Sequence, residues 1–176
     1  MITLIKPCKE YERDIFEYKA EMIAAGNGGL DGCGGLDRFS DFDHWQSFLE
    51  SLTDRKKIEP SSGFVEGSQY ILIDDVKNKV LGMVNLRHYL NDFLFRVGGH
   101  IGYSVRPDER GNGYGKLQLK LALEKMAELG VMDVLITCNC DNEPSGGTIE
   151  ACGGVLENAV YSPEYGCDIK RYWVHL

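Results

Sequence analysis

The chain has 176 residues, 43% hydrophobic and 26% charged, proportions that exclude a disordered or fibrous protein. A chain of this length buries roughly 70% of its unfolded surface, enough for a core without disulfide or metal staples, so residues 1–176 are expected to form one domain. The balance of 19 Lys and Arg against 27 Asp and Glu gives a net charge of −8, which argues against a main role in gripping nucleic-acid phosphates or an anionic membrane.

The first residues, Ile2-Thr-Leu-Ile5, read as a strand. They lack the basic and then apolar pattern of a signal peptide, and no apolar run reaches the roughly 18 residues of a membrane span; a cytoplasmic location is expected. Residues 10–25 carry Tyr11, Ile15, Tyr18 and Met22 at helical spacing. The glycine-rich run from Gly26 to Gly35 offers little side chain to pack and reads as a mobile loop, a candidate lid. Ser40 or Asp41 caps a second helix to about Thr53, burying Phe42, Trp45, Phe48, Leu49 and Leu52.

The period then changes. Tyr70–Ile73 and Val80–Tyr89 form a hairpin across a polar turn, and a third strand, Gly99–Val105, stops at Arg106-Pro107. Lys116–Leu129 is the clearest helix, with Leu119, Ala122, Leu123, Met126 and Leu129 on one face and Gly130 closing it. A strand (Val131–Cys140), a short helix (Pro144–Cys152) and a final hairpin (Val155–Tyr161 with Ile169–His175) complete the order. Six cysteines without an export signal read as buried small hydrophobes. Cys138-x-Cys140 lacks the spacing of a zinc knuckle, so no metal is expected.

Chemistry concentrates in Arg110-Gly-Asn-Gly-Tyr-Gly115, between a strand and the long helix. Free N–H groups at a helix start, the helix dipole, and close backbone approach at glycines make an anion cradle, and Arg110 and Lys116 add positive charge. A Walker loop is excluded because Leu117 follows Lys116, and a Rossmann fingerprint because the third glycine comes one residue too early. The bland alternative is a glycine-rich helix start on the surface.

Arg110-x-x-Gly113-x-Gly115 in this context resembles the coenzyme A pyrophosphate motif of the GNAT superfamily of acyl-CoA-dependent N-acetyltransferases. The element order over nearly the whole chain, Asn142-x-x-Ser145, and the run from Gly98 to Pro107, similar to a bacterial branch of that superfamily, extend the likeness. It implies an α/β fold of GNAT type, three-layered, with a mixed central sheet of about six to seven strands flanked by helices. It also implies a pantetheine arm lying between splayed strands 101–105 and 134–140, lined by Tyr103, Ser104 and Val105. On the same likeness, Gly111, Asn112, Gly113, Tyr114 and Gly115 hold the pyrophosphate with Arg110 and Lys116, and Asn142 and Ser145 touch the arm. The implied reaction moves acetyl from acetyl-CoA to the primary amine of a small, cationic acceptor by direct attack in a ternary complex. His100 is the first choice of base, against a purely structural histidine, with His88 and Glu66 as fallbacks.

One departure matters. Many relatives carry a tyrosine seven residues after the asparagine to protonate the leaving thiolate, and here that position is Ile149. Ser145, Tyr114 or a tyrosine of the last hairpin would have to substitute, or the thiolate leaves unaided. The missing acid keeps an inactive acyl-CoA-binding sensor or interaction module open as the alternative function; a zinc-stabilised interaction protein is a third. Six acids against one base in residues 31–54 suggest a screen for a cationic amine, with Asp31 among its contacts, or else merely a solvated helix face. Asn85, Arg87 and His88 are placed toward the acceptor, where Arg87 would favour a carboxylate instead. An exposed last hairpin bearing Tyr172 and Trp173 would suit a homodimer.

Overall fold

The computed structural model describes residues 1–26 and 30–176. Strand β1 (Ile2–Ile5) leads into α1 (Glu12–Ala24), then α2 (Phe42–Ser51), whose N-terminus is closed by the Asp41 side chain accepting from His44 N–H (3.0 Å). Strands β2 (Gly67–Asp74), β3 (Lys79–Arg87) and β4 (Ile101–Val105) follow, then α3 (Tyr114–Glu128), β5 (Asp133–Asn139), α4 (Glu143–Ala151), β6 (Val155–Ser162) and β7 (Cys167–His175). The order read from periodicity is therefore the order found. All seven strands join one mixed sheet, β1-β2-β3-β4-β5-β7-β6, in which only β4 and β5 run parallel.

Alternation along the strands divides the core into two faces. Ile71, Ile73 and Met83 pack on one side against Ile15, Tyr18 and Met22 of α1 and Phe42 and Trp45 of α2. Val84, Leu86, Ile101 and Ile136 pack on the other against Leu119, Leu123 and Met126 of α3 and Ile149 of α4.

Three expectations change. The glycine-rich run is not open loop where it is described: Leu30, Cys33 and Leu36 are buried, and the run lies on the sheet. A Cβ at Gly32 would stand 2.5 Å from Tyr103 Cα and one at Gly34 2.5 Å from the Gln69 amide, so these glycines permit close approach rather than motion. Asn27, Gly28 and Gly29 of that run lie outside the described residues. Second, Tyr172 is buried against α4, with its hydroxyl 3.1 Å from where a Gly146 Cβ would be, and Trp173 is half-buried beside Phe95. The exposed apolar residues of the last hairpin are instead Val155, Leu156 and Tyr161 on the edge strand β6 and Tyr165 in its turn. Third, residues 94–98 form a turn of π-helix, closed by Gly99 N–H to Leu94 carbonyl (2.7 Å), that the periodicity did not show.

Candidate active site

Strands β4 and β5 are paired at a single position, Ile101 with Ile136, and then diverge. The Arg106 N–H donates to the Leu81 carbonyl on the β3 side (2.8 Å). A period of two therefore turns the Tyr103 and Val105 N–H groups toward the gap. The Val105 carbonyl faces the same way and accepts from Arg110 Nε (3.2 Å).

The gap opens into a cavity of about 620 Å³ lined by Tyr103, Ser104 and Val105 on one side and by Arg110, Gly111, Gly113, Tyr114, Gly115 and Lys116 at its end. Asn142, Ser145 and Thr148 of the α4 start form another wall. Gly111 and Gly113 both have φ of +81°, a region L side chains rarely adopt. That turn delivers the chain into α3, whose first intrahelical bond runs from Leu117 N–H to Gly113 carbonyl (3.0 Å). The N–H groups ahead of it are left for a ligand at the positive end of the helix dipole. Asn112 is not in the lining; its amide donates to the Glu109 carbonyl (3.3 Å) and braces the loop. Asn142 caps α4, accepting from Ser145 N–H (3.2 Å).

The Tyr103 hydroxyl lies 3.0 Å from Ser145 Oγ within this cavity. Burial pushes the Tyr103 phenol up to about 12, outweighing the Ser145 hydrogen bond, so the group keeps its proton at neutral pH. The position seven residues after Asn142 offers nothing comparable, for Ile149 is fully buried in the core.

A second cavity, of about 460 Å³, lies under the glycine-rich run and is lined by Asp31, Asp37, Arg38, Phe48, Phe64, Gln69, Asn85 and Arg87 among others. Leu30 and Asp31 line both cavities, so the two meet there. Of the six acids in residues 31–54, only Asp31 and Asp37 line it. Asp41 caps α2, Asp43 pairs with Lys9 (2.7 Å), Asp54 caps a 3₁₀ turn, and Glu50 accepts from Gln46 (3.2 Å). The cationic screen read from the sequence thus reduces to two carboxylates. Phe48, expected in the core, is part of the cavity wall.

His88 and Glu66 stand outside both linings. His88 Nε2 is 2.8 Å from Ser68 Oγ, and burial lowers the imidazole against the pull of Glu66. His100 is likewise outside them: it is buried between β4 and β5, where its Nδ1 accepts the Leu135 N–H (2.9 Å) and its own N–H donates to the Leu135 carbonyl (2.7 Å). Burial, with the Arg87 charge adding to it, takes the imidazole from 6.5 down to about 4. The geometry is that of a neutral histidine holding two strands together, which takes His100 away from the amine.

His100 has a depressed folded value, so its stabilisation is complete above 6.5 and is lost as pH falls from there through about 4. We expect a loss on the order of 3 kcal/mol by pH 4, at about 1.4 kcal/mol per unit. His100→Asn keeps an acceptor near Leu135 and should flatten that part of a stability–pH curve while retaining turnover within a few-fold. An unchanged curve, or a base-sized loss of turnover, would contradict the structural role.

The family model of the acetyltransferase (GNAT) domain matches residues 36–155, more than half of the chain. The chain belongs to the GNAT acetyltransferase family. A search of the curated proteins gave no match. Among solved structures, RimL, a ribosomal L7/L12 alpha-N-protein acetyltransferase in complex with coenzyme A, superposes with a TM-score of 0.72 at 14% identity, covering 99% of this chain and 94% of that one. The microcin C7 self-immunity acetyltransferase MccE, in complex with acetyl-CoA and AMP, gives 0.67 at 18% identity over 99% and 92%. Mutant forms of the spermidine/spermine N-acetyltransferase SpeG from Vibrio cholerae give 0.62 at 16% over 99% and 95%. At such identities these likenesses establish the GNAT fold and say nothing of the acceptor.

Proposed function

We propose that this GNAT chain transfers an acetyl group from acetyl-CoA to the primary amine of a small acceptor by direct attack within a ternary complex. The observation that carries the reading is the junction of the two cavities at Asp31. One cavity suits a phosphate-bearing donor, with its helix-start cradle and open strand edge; the other is open to an acceptor. A single carboxylate stands where they meet.

Acetyl-CoA would lay its pyrophosphate on the N–H groups of residues 111–116 and its pantetheine arm along Tyr103–Val105, pairing as an added strand. The Tyr103 N–H, facing the gap, would donate to the thioester oxygen as charge develops there. Asp31 draws an ammonium to the junction and takes its proton, and the amine nitrogen attacks the carbonyl carbon. As the tetrahedral intermediate collapses the C–S bond breaks, the thiolate takes a proton from the Tyr103–Ser145 hydroxyl pair, and the second proton released from the nitrogen as the amide forms restores that pair. We assign to that pair the acid role left vacant at Ile149.

Acetyl-CoA with a panel of primary amines, followed by thiol release, tests the reading. Amine-dependent release matched by an acetylated product of the right mass supports it. Acetyl-CoA binding with no transfer to any amine would fit an acyl-CoA sensor instead.

A further inference from the structure

Arg87 closes β3, and its guanidinium lies in the wall of the acceptor cavity. Nη1 donates to the carbonyls of Gly98 (3.1 Å) and Gly99 (3.4 Å), which the π-helical turn presents. Its other donors, on Nε and Nη2, make no hydrogen bond among the described residues. No carboxylate pairs with Arg87 there either, whereas Arg13, Arg96, Arg106 and Arg171 each hold one.

The surroundings sharpen the point. A Cβ at Gly102 would stand 3.1 Å from Arg87 Nη2 and 3.2 Å from Gly32 N, so a glycine on β4 makes the room that the guanidinium occupies. The nearby His100 ring, buried and taken down to about 4, is neutral at neutral pH and adds no like charge beside Arg87. Arg87 is partly buried, and Asp31 acts on it through space without forming an ion pair. A partly desolvated guanidinium with free donors favours an anion, and the cavity it faces is where an acceptor enters.

The other charges of the cavity are Asp31, Asp37 and Arg38. Arg38 is engaged in stacking, 4.6 Å from the Phe48 ring centre and 5.2 Å from that of Phe64. What is left is two carboxylates, Asp31 at the junction with the donor cavity and Asp37 further along the wall, and the Arg87 guanidinium in the same cavity's wall. The two kinds of charge look like conflicting cues in the sequence, one for a cationic and one for an anionic acceptor. They agree if one molecule carries both charges.

We propose that the acceptor is a free amino acid, its ammonium at Asp31 beside the donor cavity and its carboxylate held in a two-pronged pair by Arg87. The proposal rests on the acetyl-transfer reading above and names the substrate class for it. A polyamine leaves Arg87 without a partner, and so does a protein N-terminus, whose first carboxyl group is tied up in a peptide bond.

The test compares proteinogenic L-amino acids with their primary carboxamides as acceptors, using acetyl-CoA and thiol release, in wild type, Arg87→Lys and Arg87→Gln. The carboxamide keeps the primary amine and side chain and removes the negative charge; its less basic amine works against the expected preference rather than for it. Wild type should prefer the best acid over its carboxamide by roughly 10- to 100-fold in kcat/KM, the scale of a hydrogen-bonded charge pair. That ratio should shrink in Arg87→Lys, which loses the fork, and approach one in Arg87→Gln. Because it is taken within each variant, a general loss of folded enzyme does not disturb it. Equal rates for acid and carboxamide in wild type, preference for the carboxamide, or transfer only to amines outside both sets would overturn the proposal and leave the acetyl-transfer reading standing. Failure to bind acetyl-CoA at all would remove that reading, and the proposal with it.

Discussion

Replacing Asp31 by Asn is expected to lower kcat by roughly 10²- to 10⁴-fold, the usual contribution of a positioned general base, with acetyl-CoA affinity held within a few-fold. Two structural facts set this expectation. Asp31 lies in the lining of both cavities, which on the proposed reading would set it beside an amine held in one and aimed at a thioester held in the other. The position is also fixed by its neighbours rather than by its own side chain: Leu30 and Cys33 are buried on either side, and Gly32 sits on the backbone of Tyr103, where a Cβ would come within 2.7 Å of its N–H nitrogen. Asparagine is nearly isosteric and keeps that seat while losing the capacity to accept a proton. Steady-state kinetics on the best amine, with acetyl-CoA affinity measured separately, checks the point. A loss in KM with kcat intact would make Asp31 a binding group only, and an unchanged kcat would move the base elsewhere.

The largest expected loss of stability follows from Arg106→Met. Arg106 is 3% exposed and stands at the end of β4, where Nη1 meets both oxygens of Asp14 at 2.9 Å and Nε and Nη2 meet the Glu21 carboxylate at 2.6 Å. Nη1 also reaches the Val80 carbonyl (3.1 Å), so one side chain ties α1 to the ends of β3 and β4 beside the phosphate loop. Removing one partner of a buried charge cluster leaves the others uncompensated, at a cost of about 3–5 kcal/mol. The half-exposed Glu21 recovers some hydration, which places the expectation near 3 kcal/mol and the fall in thermal midpoint at roughly 6–12 °C. A change below about 2 °C would contradict it. Arg106 also holds the Glu21 carboxyl below its ordinary 4.5. That contribution is therefore present above 4.5 and is lost as pH falls through the lower folded value.

The elements were legible because their periods are clean. Leu119, Ala122, Leu123 and Met126 mark one helix face, and Tyr11, Ile15, Tyr18 and Met22 another, and these residues are buried where the spacing put them; Leu129, read on the first face, lies just past the end of α3 and is exposed. The glycine turn ahead of α3 was legible for a different reason: glycines at positive φ ahead of a helix are a local requirement, met by residues adjacent in sequence. The acceptor side was not, because its parts come from distant segments. Nothing near Gly32 in sequence announces Tyr103, and nothing near Arg87 announces the Gly98 and Gly99 carbonyls or the space at Gly102. Glycine there reads as freedom when the structure uses it for contact. His100 misled for a related reason. Its place on the strand before the loop is visible in sequence, but the partner that keeps it neutral and out of the cleft, the Leu135 backbone, belongs to a strand that arrives later.

The most direct measurement of the central claim is the thermal midpoint of wild type and of Gly113→Glu, each with and without millimolar acetyl-CoA. A ligand that binds only the folded chain at about 100 times its Kd adds about 2.7 kcal/mol, or roughly 5–10 °C for a chain of this size. Gly113 has φ of +81° with open space where a Cβ would go, so a glutamate there strains the turn and sets a carboxylate into the phosphate cradle. The account predicts a clear rise in wild type and none in Gly113→Glu relative to its own ligand-free midpoint. No rise in wild type, or the same rise in both, would contradict a coenzyme A site at the start of α3.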